Sequence, residues 1–157
     1  MEEIRKAILE FIESVRYSNT SINYDVNALK LRFYENNSED RYILFYIYSP
    51  WRIIGNGEII NSSDLYPSEE FSESKEQYES EFEAFIKSTS ELAKQKVTSI
   101  AINPLTHDLK IEWDDGTYLE SFTLDYVNAQ YHIYDTLNHI AHDVSYGNLS
   151  SSATQKV

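Results

Sequence analysis

The chain begins with apolar residues at helical spacing. They recur at i, i+4, i+7, i+8 and i+11, at Ile4, Ile8, Phe11, Ile12 and Val15. This spacing places them on one side of a helix. The segment therefore predicts an amphipathic helix that packs on the rest of the protein along one stripe.

The pattern changes to a period of two after a polar turn. Leu29, Leu31 and Phe33 alternate with polar or larger side chains, and the aromatic run RYILFYIYSP follows the turn-rich sequence ENNSED. Alternation with β-branched and aromatic residues is typical of strands. Two such strands around a polar loop predict an antiparallel hairpin.

Pro50 interrupts this β-rich region. Proline has no N–H to donate, so it occurs in sheets at an edge, a strand start or a bulge. We expect it to separate a strand at 42–49 from one at 51–54. Residues 55–57, Gly-Asn-Gly, predict a tight turn directly afterwards.

Residues 61–83 carry much of the negative charge. They begin as a Ser- and Pro-containing loop and then become compatible with a helix from about residue 73 to residue 92. The predicted packing stripe consists of Tyr78, Phe82, Phe85 and Ile86. The outer face is expected to be acidic.

The remainder of the chain predicts a β-meander. The clearest hairpin is LKIEWDDGTYLESFTL, in which Asp115-Gly116 supplies residues that accept positive φ. Residues 96–103 are expected to add a strand, and residues 129–136 another strand or a short closing element. The polar end predicts one domain over residues 1–143 and a flexible tail over 144–157. The fold class expected is α+β, a mainly antiparallel sheet with about two helices packed on one face.

Composition and charge restrict the partners. The 157 residues include 26 acidic and 13 basic side chains, a formal net charge of −13, and no cysteine. This charge repels nucleic acid and anionic membranes but favours encounter with a basic protein. No apolar run approaches the ~20 residues of a membrane span. We therefore expect a cytoplasmic protein without disulfides or thiolate chemistry.

Candidate catalytic and metal-binding groups each have a simpler structural explanation. His139 and His142 form an H-x-x-H pair but lack a third ligand at a defined spacing. His107-Asp108 and Asp114-Asp115 occur in predicted turns, which account for these residue types. No phosphate-binding glycine motif is present. We predict no catalytic residue, no metal and no cofactor.

Two motifs and the order of elements resemble a group of small bacterial domains, several of which are regarded as immunity proteins of polymorphic or contact-dependent toxin systems. The first motif is Pro50-Trp51-Arg52. The second is the late hairpin, with Leu109, Ile111, Trp113, Asp115, Gly116, Leu119, Glu120 and Phe122. The resemblance covers about half the chain and implies no shared catalytic residues. It implies a protein that neutralises a cognate toxin by occlusion.

We therefore expect a non-enzymatic immunity protein that binds a basic toxin domain. Trp51 and Arg52 are candidate partner contacts because Trp and Arg are favoured at interface hot spots, although a core Trp and an Arg paired with a carboxylate of the sheet are the favoured explanation. The acidic candidates are Asp64, Glu69, Glu70, Glu73, Glu76 and Glu79. One alternative is a small-ligand-binding domain or enzyme with a cleft on the open sheet face, lined by Tyr42, Tyr46, Tyr48 and Trp51. Another is a homodimer through an exposed strand or the aromatic face.

Overall fold

The computed structural model describes Lys6 and residues 17–25, 28–35, 40, 42–123, 131–135, 139–145 and 148–153. Apart from Lys6, the N-terminal helix predicted from Ile4, Ile8, Phe11, Ile12 and Val15 lies outside the described residues. The remaining helices and strands confirm the α+β class with a predominance of antiparallel sheet.

Eleven strands form two antiparallel sheets within this part of the chain. Sheet 1 has the strand order β1-β2-β3-β9-β10-β11, and sheet 2 has the order β5-β4-β8-β7-β6. The strands are β1 (Tyr17–Asp25), β2 (Ala28–Glu35), β3 (Tyr42–Ile47), β4 (Trp51–Gly55), β5 (Glu58–Ser62), β6 (Val97–Ile102), β7 (Leu109–Trp113), β8 (Tyr118–Ser121), β9 (Tyr131–Asp135), β10 (Ile140–Ser145) and β11 (Asn148–Ala153).

The predicted β2–β3 hairpin is confirmed. Leu31 lies opposite Phe45 in the register, and Phe33 meets Phe45 edge to face at 5.6 Å between ring centroids. Alternate residues of both strands are fully buried, as period-two patterning requires. The intervening side chains, including Tyr42 and Tyr46, lie on the opposite face of sheet 1.

A single sheet was the simplest expectation, and the presence of two sheets corrects it. The predicted break at Pro50 falls between β3 and β4, which belong to different sheets. The backbone carbonyl of Pro50 accepts a hydrogen bond from the N–H of Phe122 at 2.9 Å. Alternation along a strand shows that one face is buried, but not whether a helix or another sheet covers it. The proline thus marks the change of sheet.

Buried side chains of both sheets belong to one hydrophobic core. Phe33 and Ile133 come from sheet 1, whereas Ile111, Trp113 and Leu119 come from sheet 2. A polar contact also joins the sheets, because the Tyr131 hydroxyl donates a hydrogen bond to the His107 carbonyl at 2.9 Å. Both tight turns are confirmed, with positive φ angles of 77° at Gly57 and 84° at Gly116.

The described α-helix, α1 (Lys75–Lys87), is shorter than the predicted helix at 73–92. Its N-cap is Ser74, whose side chain accepts a hydrogen bond from the Gln77 N–H at 3.1 Å. At the other end the Ser88 hydroxyl donates to the Phe85 carbonyl at 2.6 Å, and a 3₁₀ helix follows at Ser90–Lys94. The consecutive hydroxyl residues Ser88, Thr89 and Ser90 compete for backbone hydrogen bonds and so end the α-helix early.

The prediction of a flexible tail from residue 144 is wrong for most of that segment. Residues 144–145 complete β10, and β11 pairs with β10 over six residues, from Ile140 opposite Ala153 to Ser145 opposite Asn148. The pairing includes a 2.7 Å hydrogen bond between His142 Nδ1 and the Ser151 hydroxyl. A polar strand is stable at a sheet edge because its side chains can face water, so small polar residues do not distinguish a tail from an edge strand.

Candidate partner-binding surface

Residues 63–87, which we call the acidic segment, follow β5 along the chain. They contain 3₁₀ turns at Ser63–Leu65 and Glu69–Phe71, followed by α1. Eight acidic residues and two lysines give this segment a formal net charge of −6, nearly half of the total of −13. All six predicted acidic contacts are exposed on it, namely Asp64, Glu69, Glu70, Glu73, Glu76 and Glu79.

An aromatic cluster attaches the segment to the core. Phe85 is the buried residue of α1, and its ring lies 6.2 Å from that of Trp51 in β4. Tyr66 meets Phe85 edge to face at 5.4 Å and Phe82 at 5.8 Å. Aromatic pairs at these separations add to the stabilisation from burial alone. The cluster therefore fixes the position of α1 against β4.

Asn61 adds a buried polar connection between β5 and α1. Its side chain is 2% exposed, and its amide nitrogen donates to the Phe85 carbonyl at 3.1 Å and to the Ser88 hydroxyl at 3.0 Å. The amide oxygen accepts from the Ser62 N–H at 2.9 Å. The Phe85 carbonyl in the last turn of α1 therefore has two side-chain donors, Asn61 and Ser88.

The acidic segment also presents large apolar side chains to solvent. Phe71 is 86% exposed, Leu65 57% and Ile86 42%, and these are three of the six exposed large hydrophobic residues in the described part of the chain. Isolated exposed apolar residues are common, whereas several within one short charged segment are more typical of an interaction site.

Two grooves run beside α1. One has a volume of about 560 Å³ and is lined by Tyr78, Glu79, Phe82, Glu83, Ile86, Lys87 and Ser90. The other has a volume of about 340 Å³ and is lined by Ile60, Asn61, Leu65, Pro67, Glu81, Ala84, Phe85 and Ser88. Each groove combines apolar side chains with at least one carboxylate, and most of the residues that line the two grooves belong to the acidic segment.

Trp51 lies beneath this surface, and Arg52 lies on the other face of β4. Trp51 is 6% exposed, so the prediction that it contacts a partner directly conflicts with its burial under Phe85. Arg52 points to the opposite face of β4 because side chains alternate along a strand. It forms an exposed ion pair with Glu120 at 2.9 Å and lies over the Phe122 ring. Trp51 is therefore a core residue, and Arg52 forms an ion pair within sheet 2.

The outer face of sheet 1 carries a second cluster. It brings together Tyr42, Tyr46 and Tyr48, three of the four residues predicted for an aromatic cleft, but Trp51 is in the core instead. Nδ1 of His132 lies within hydrogen-bonding distance of the Asp143 carboxylate, and Tyr48 meets the His132 ring edge to face at 5.4 Å. We call this the tyrosine face.

The tyrosine face also includes Tyr134 and Lys30. Burial raises the pKa of Tyr134, and the nearby Asp143 and Tyr46 raise the pKa further. The Lys30 ammonium lies 4.8 Å from the Tyr46 ring centroid, a cation–π distance. The tyrosine face therefore combines aromatic rings, phenol hydroxyls and a lysine.

The remaining predicted candidates have structural roles. Asp108 accepts hydrogen bonds from the N–H and hydroxyl of Thr123 at 2.7 and 2.9 Å, which holds the turn after β6. Asp115 accepts from the Thr117 N–H at 2.9 Å in the β7–β8 turn. His139 lies in a turn with a φ of 54° and His142 in β10, so they do not form a helical metal-binding pair.

The described residues contain no group of three or more His, Cys, Asp or Glu arranged to hold a metal ion. None of the helices among them is long and apolar enough to cross a membrane. No family model matches the chain, and neither a curated protein nor a solved structure matches it. A function for this chain must therefore be inferred from its own surface.

Reasoning from the sequence located the carboxylates but missed Leu65, Phe71 and the exposure of Ile86. Periodicity assigned Ile86 to the packing stripe of α1, where it is 42% exposed. A signal was present for Phe71, because an aromatic residue amid Ser and Glu has no neighbouring apolar residues with which to form a core.

Proposed function

We propose that the protein is a non-enzymatic binding protein that holds a basic protein partner on its acidic segment. The single observation that supports this best is the coincidence of a −6 charge with exposed Leu65, Phe71 and Ile86 on one segment. Interfaces combine apolar anchors, which supply affinity, with charges that guide the encounter. The segment has both features.

The charges act mainly on the rate of encounter. Each carboxylate is exposed, and an exposed ion pair contributes only about 0–1 kcal/mol. Together, however, like charges on one surface create a field that speeds association with an oppositely charged protein, and salt screens this field over about 8–10 Å. The partner is therefore expected to associate fast at low ionic strength and more slowly at high ionic strength.

The resemblance to immunity proteins supports a toxin domain as the class of partner. In this proposal the partner is a basic toxin domain, and the protein inhibits it in the cytoplasm by covering its active site or an adjacent surface. Neither nucleic acid nor a membrane is a partner, because the net charge of −13 repels both. Inhibition by occlusion needs a stable complex but no catalytic group on this chain.

Co-expression tests the proposed function. The C-terminal domain of the protein encoded immediately upstream is produced in cells with and without this chain, and growth is measured. The proposal expects the domain alone to arrest growth and this chain to restore it, with a complex that survives purification. A harmless domain, or growth arrest that persists without a complex, would contradict the proposal.

A second candidate function is small-ligand binding on the tyrosine face. It is supported by the His132–Asp143 pair among Tyr46, Tyr48 and Tyr134, which brings aromatic surface and polar groups together. Ligand sites are typically built in this way. A screen of small aromatic and cationic ligands by NMR, in which no ligand shifts the resonances of His132 and Tyr134, would remove this candidate.

A further inference from the structure

The apolar stripe of α1 is wider than the fold requires. Phe85 is buried, whereas Tyr78 and Phe82 are only partly buried and Ile86 is 42% exposed. Most of the stability of a protein helix comes from packing its apolar face. A stripe that the described core covers only in part therefore leaves an apolar surface on α1 that another molecule can bury.

The geometry of that surface matches a helix. Tyr78, Phe82 and Ile86 are spaced by four residues and so form one ridge along α1. Tyr78 and Phe82 stack with 6.0 Å between ring centroids, which keeps this ridge continuous. The 560 Å³ groove follows the ridge as far as Ser90. Between Tyr78 and Lys87, at 1.5 Å per residue, it extends about 14 Å along α1, the length of about two and a half helical turns.

The charges beside the groove identify the chemistry of its occupant. Glu79 and Glu83 line it, and Glu76 lies on the same side of α1 one turn before Glu79. Lys87 lines only its C-terminal end. A second copy of this chain would bring acidic side chains against acidic side chains, since each copy carries −13. A basic occupant is favoured instead.

We propose that the α1 groove binds a basic amphipathic helix of the partner, which packs its apolar residues on Tyr78, Phe82 and Ile86 and places cationic side chains beside Glu79 and Glu83. The inference rests on the proposed function and specifies how the partner is held. An amphipathic helix in an apolar groove is an established mode of peptide recognition, with anchors at i, i+3, i+4 and i+7.

Two model peptides of about 18 residues and equal positive charge test the inference. The amphipathic peptide has leucine at i, i+3, i+4 and i+7 with lysine on the other face, and the charge-only peptide has glutamine in place of leucine. Binding to the full chain is measured by fluorescence anisotropy and located by NMR chemical-shift changes. The inference expects the amphipathic peptide to bind about tenfold more tightly, with shifts at residues 78–90.

Two matched substitutions locate the preference. Ile86→Gln is expected to remove most of the roughly tenfold preference for the amphipathic peptide, since one aliphatic contact of this size accounts for about that factor. Leu105→Gln is the control, because Leu105 is 81% exposed and lies in the turn between β6 and β7, away from α1. Ile86→Leu should preserve the preference. Circular dichroism of each variant verifies that α1 is retained.

The outcomes separate the groove from the acidic surface as a whole. Equal affinity for the two peptides, an undiminished preference in Ile86→Gln, or shifts centred on the tyrosine face would each overturn the inference. The proposed function fails in a different way, when Glu70→Gln, Glu73→Gln and Glu76→Gln together leave the binding of the charge-only peptide unchanged.

Discussion

At the residue scale, Asn61 is the polar group that connects α1 to β5. Its two N–H donors reach the Phe85 carbonyl and the Ser88 hydroxyl, so its loss removes two hydrogen bonds between β5 and the end of α1. Because a hydrogen bond contributes about 0.5–1.5 kcal/mol net, Asn61→Ala should lower the free energy of unfolding by about 1–3 kcal/mol.

The comparison with Asn61→Asp makes the prediction specific. Aspartate keeps an oxygen for the Ser62 N–H but lacks both donors and introduces a charge at a site that is 2% exposed. We therefore expect Asn61→Asp to be at least as destabilising as Asn61→Ala in urea unfolding. Two variants with wild-type stability would show that the amide does not hold the helix.

Tyr131 predicts how stability changes at alkaline pH. Burial raises its pKa, with a smaller contribution from Asp108, and its hydroxyl donates to the His107 carbonyl. The folded protein therefore keeps this phenol protonated, whereas the unfolded chain ionises it above about pH 10. The stabilisation is fully present below pH 10 and is lost as the pH rises, by about 1.4 kcal/mol per pH unit.

Tyr131→Phe isolates this contribution, because phenylalanine cannot ionise and the other tyrosines are common to both proteins. At pH 8 the variant should be less stable by about 1–3 kcal/mol, owing to the lost hydrogen bond to the buried carbonyl. The difference should shrink by about 1.4 kcal/mol when urea unfolding is repeated one pH unit above 10. A difference that does not depend on pH would contradict the assignment.

At the element scale, β11 is the strand that composition failed to reveal. All six of its residues pair with β10, yet the side chains of residues 150–153 are exposed. A chain ending at residue 147 should lose at least about 2 kcal/mol of unfolding free energy, since each backbone hydrogen bond contributes about 0.5–1.5 kcal/mol net. A chain ending at residue 153 is the control and should resemble the full chain. Equal stability of all three would support a tail instead.

The sequence patterns that predicted elements correctly are those that depend only on residues close together in the chain. The β2–β3 alternation and the Asp115-Gly116 turn depend on side-chain period and on positive φ, and both are found as expected. The change of sheet at Pro50 and the pairing of β11 depend on contacts between distant residues. Local patterns do not report such contacts, so neither the second sheet nor β11 was predicted.

On the candidate surface, too, local patterns predicted some features, whereas others depend on contacts between distant residues. The six carboxylates were predicted to be exposed because charged residues in a polar segment are seldom buried. Whether an apolar residue of an amphipathic helix meets the core depends on how the helix docks. Ile86 is exposed because α1 contacts β4 through Phe85, whereas Trp51 is buried by that same contact. Trp51 was predicted to contact a partner from its residue type alone, and residue type does not report burial.

At the scale of the whole molecule, charge is unevenly distributed. The acidic segment holds 25 of the 157 residues but −6 of the −13 net charge, together with three of the six exposed large hydrophobic residues in the described part. The outer face of sheet 1 instead contains Lys30 and Arg32 beside its tyrosines. The proposed basic partner would therefore be attracted towards the acidic segment more than towards the tyrosine face.

The central claim is that the location of the charge, and not its total, guides the partner. Two variants separate these possibilities, because each removes three exposed carboxylates from the same total of −13. One carries Glu70→Gln, Glu73→Gln and Glu76→Gln within the acidic segment. The other carries Asp40→Asn, Glu58→Gln and Asp114→Asn elsewhere.

The most direct measurement is the association rate with the domain encoded upstream, followed by stopped-flow fluorescence at about 50 and 300 mM salt. We predict that the segment variant associates about tenfold more slowly than wild type at low salt and depends less on salt, whereas the other variant stays within about twofold of wild type. Equal rates for the two variants, or the absence of any complex with wild type, would contradict the role of the acidic segment.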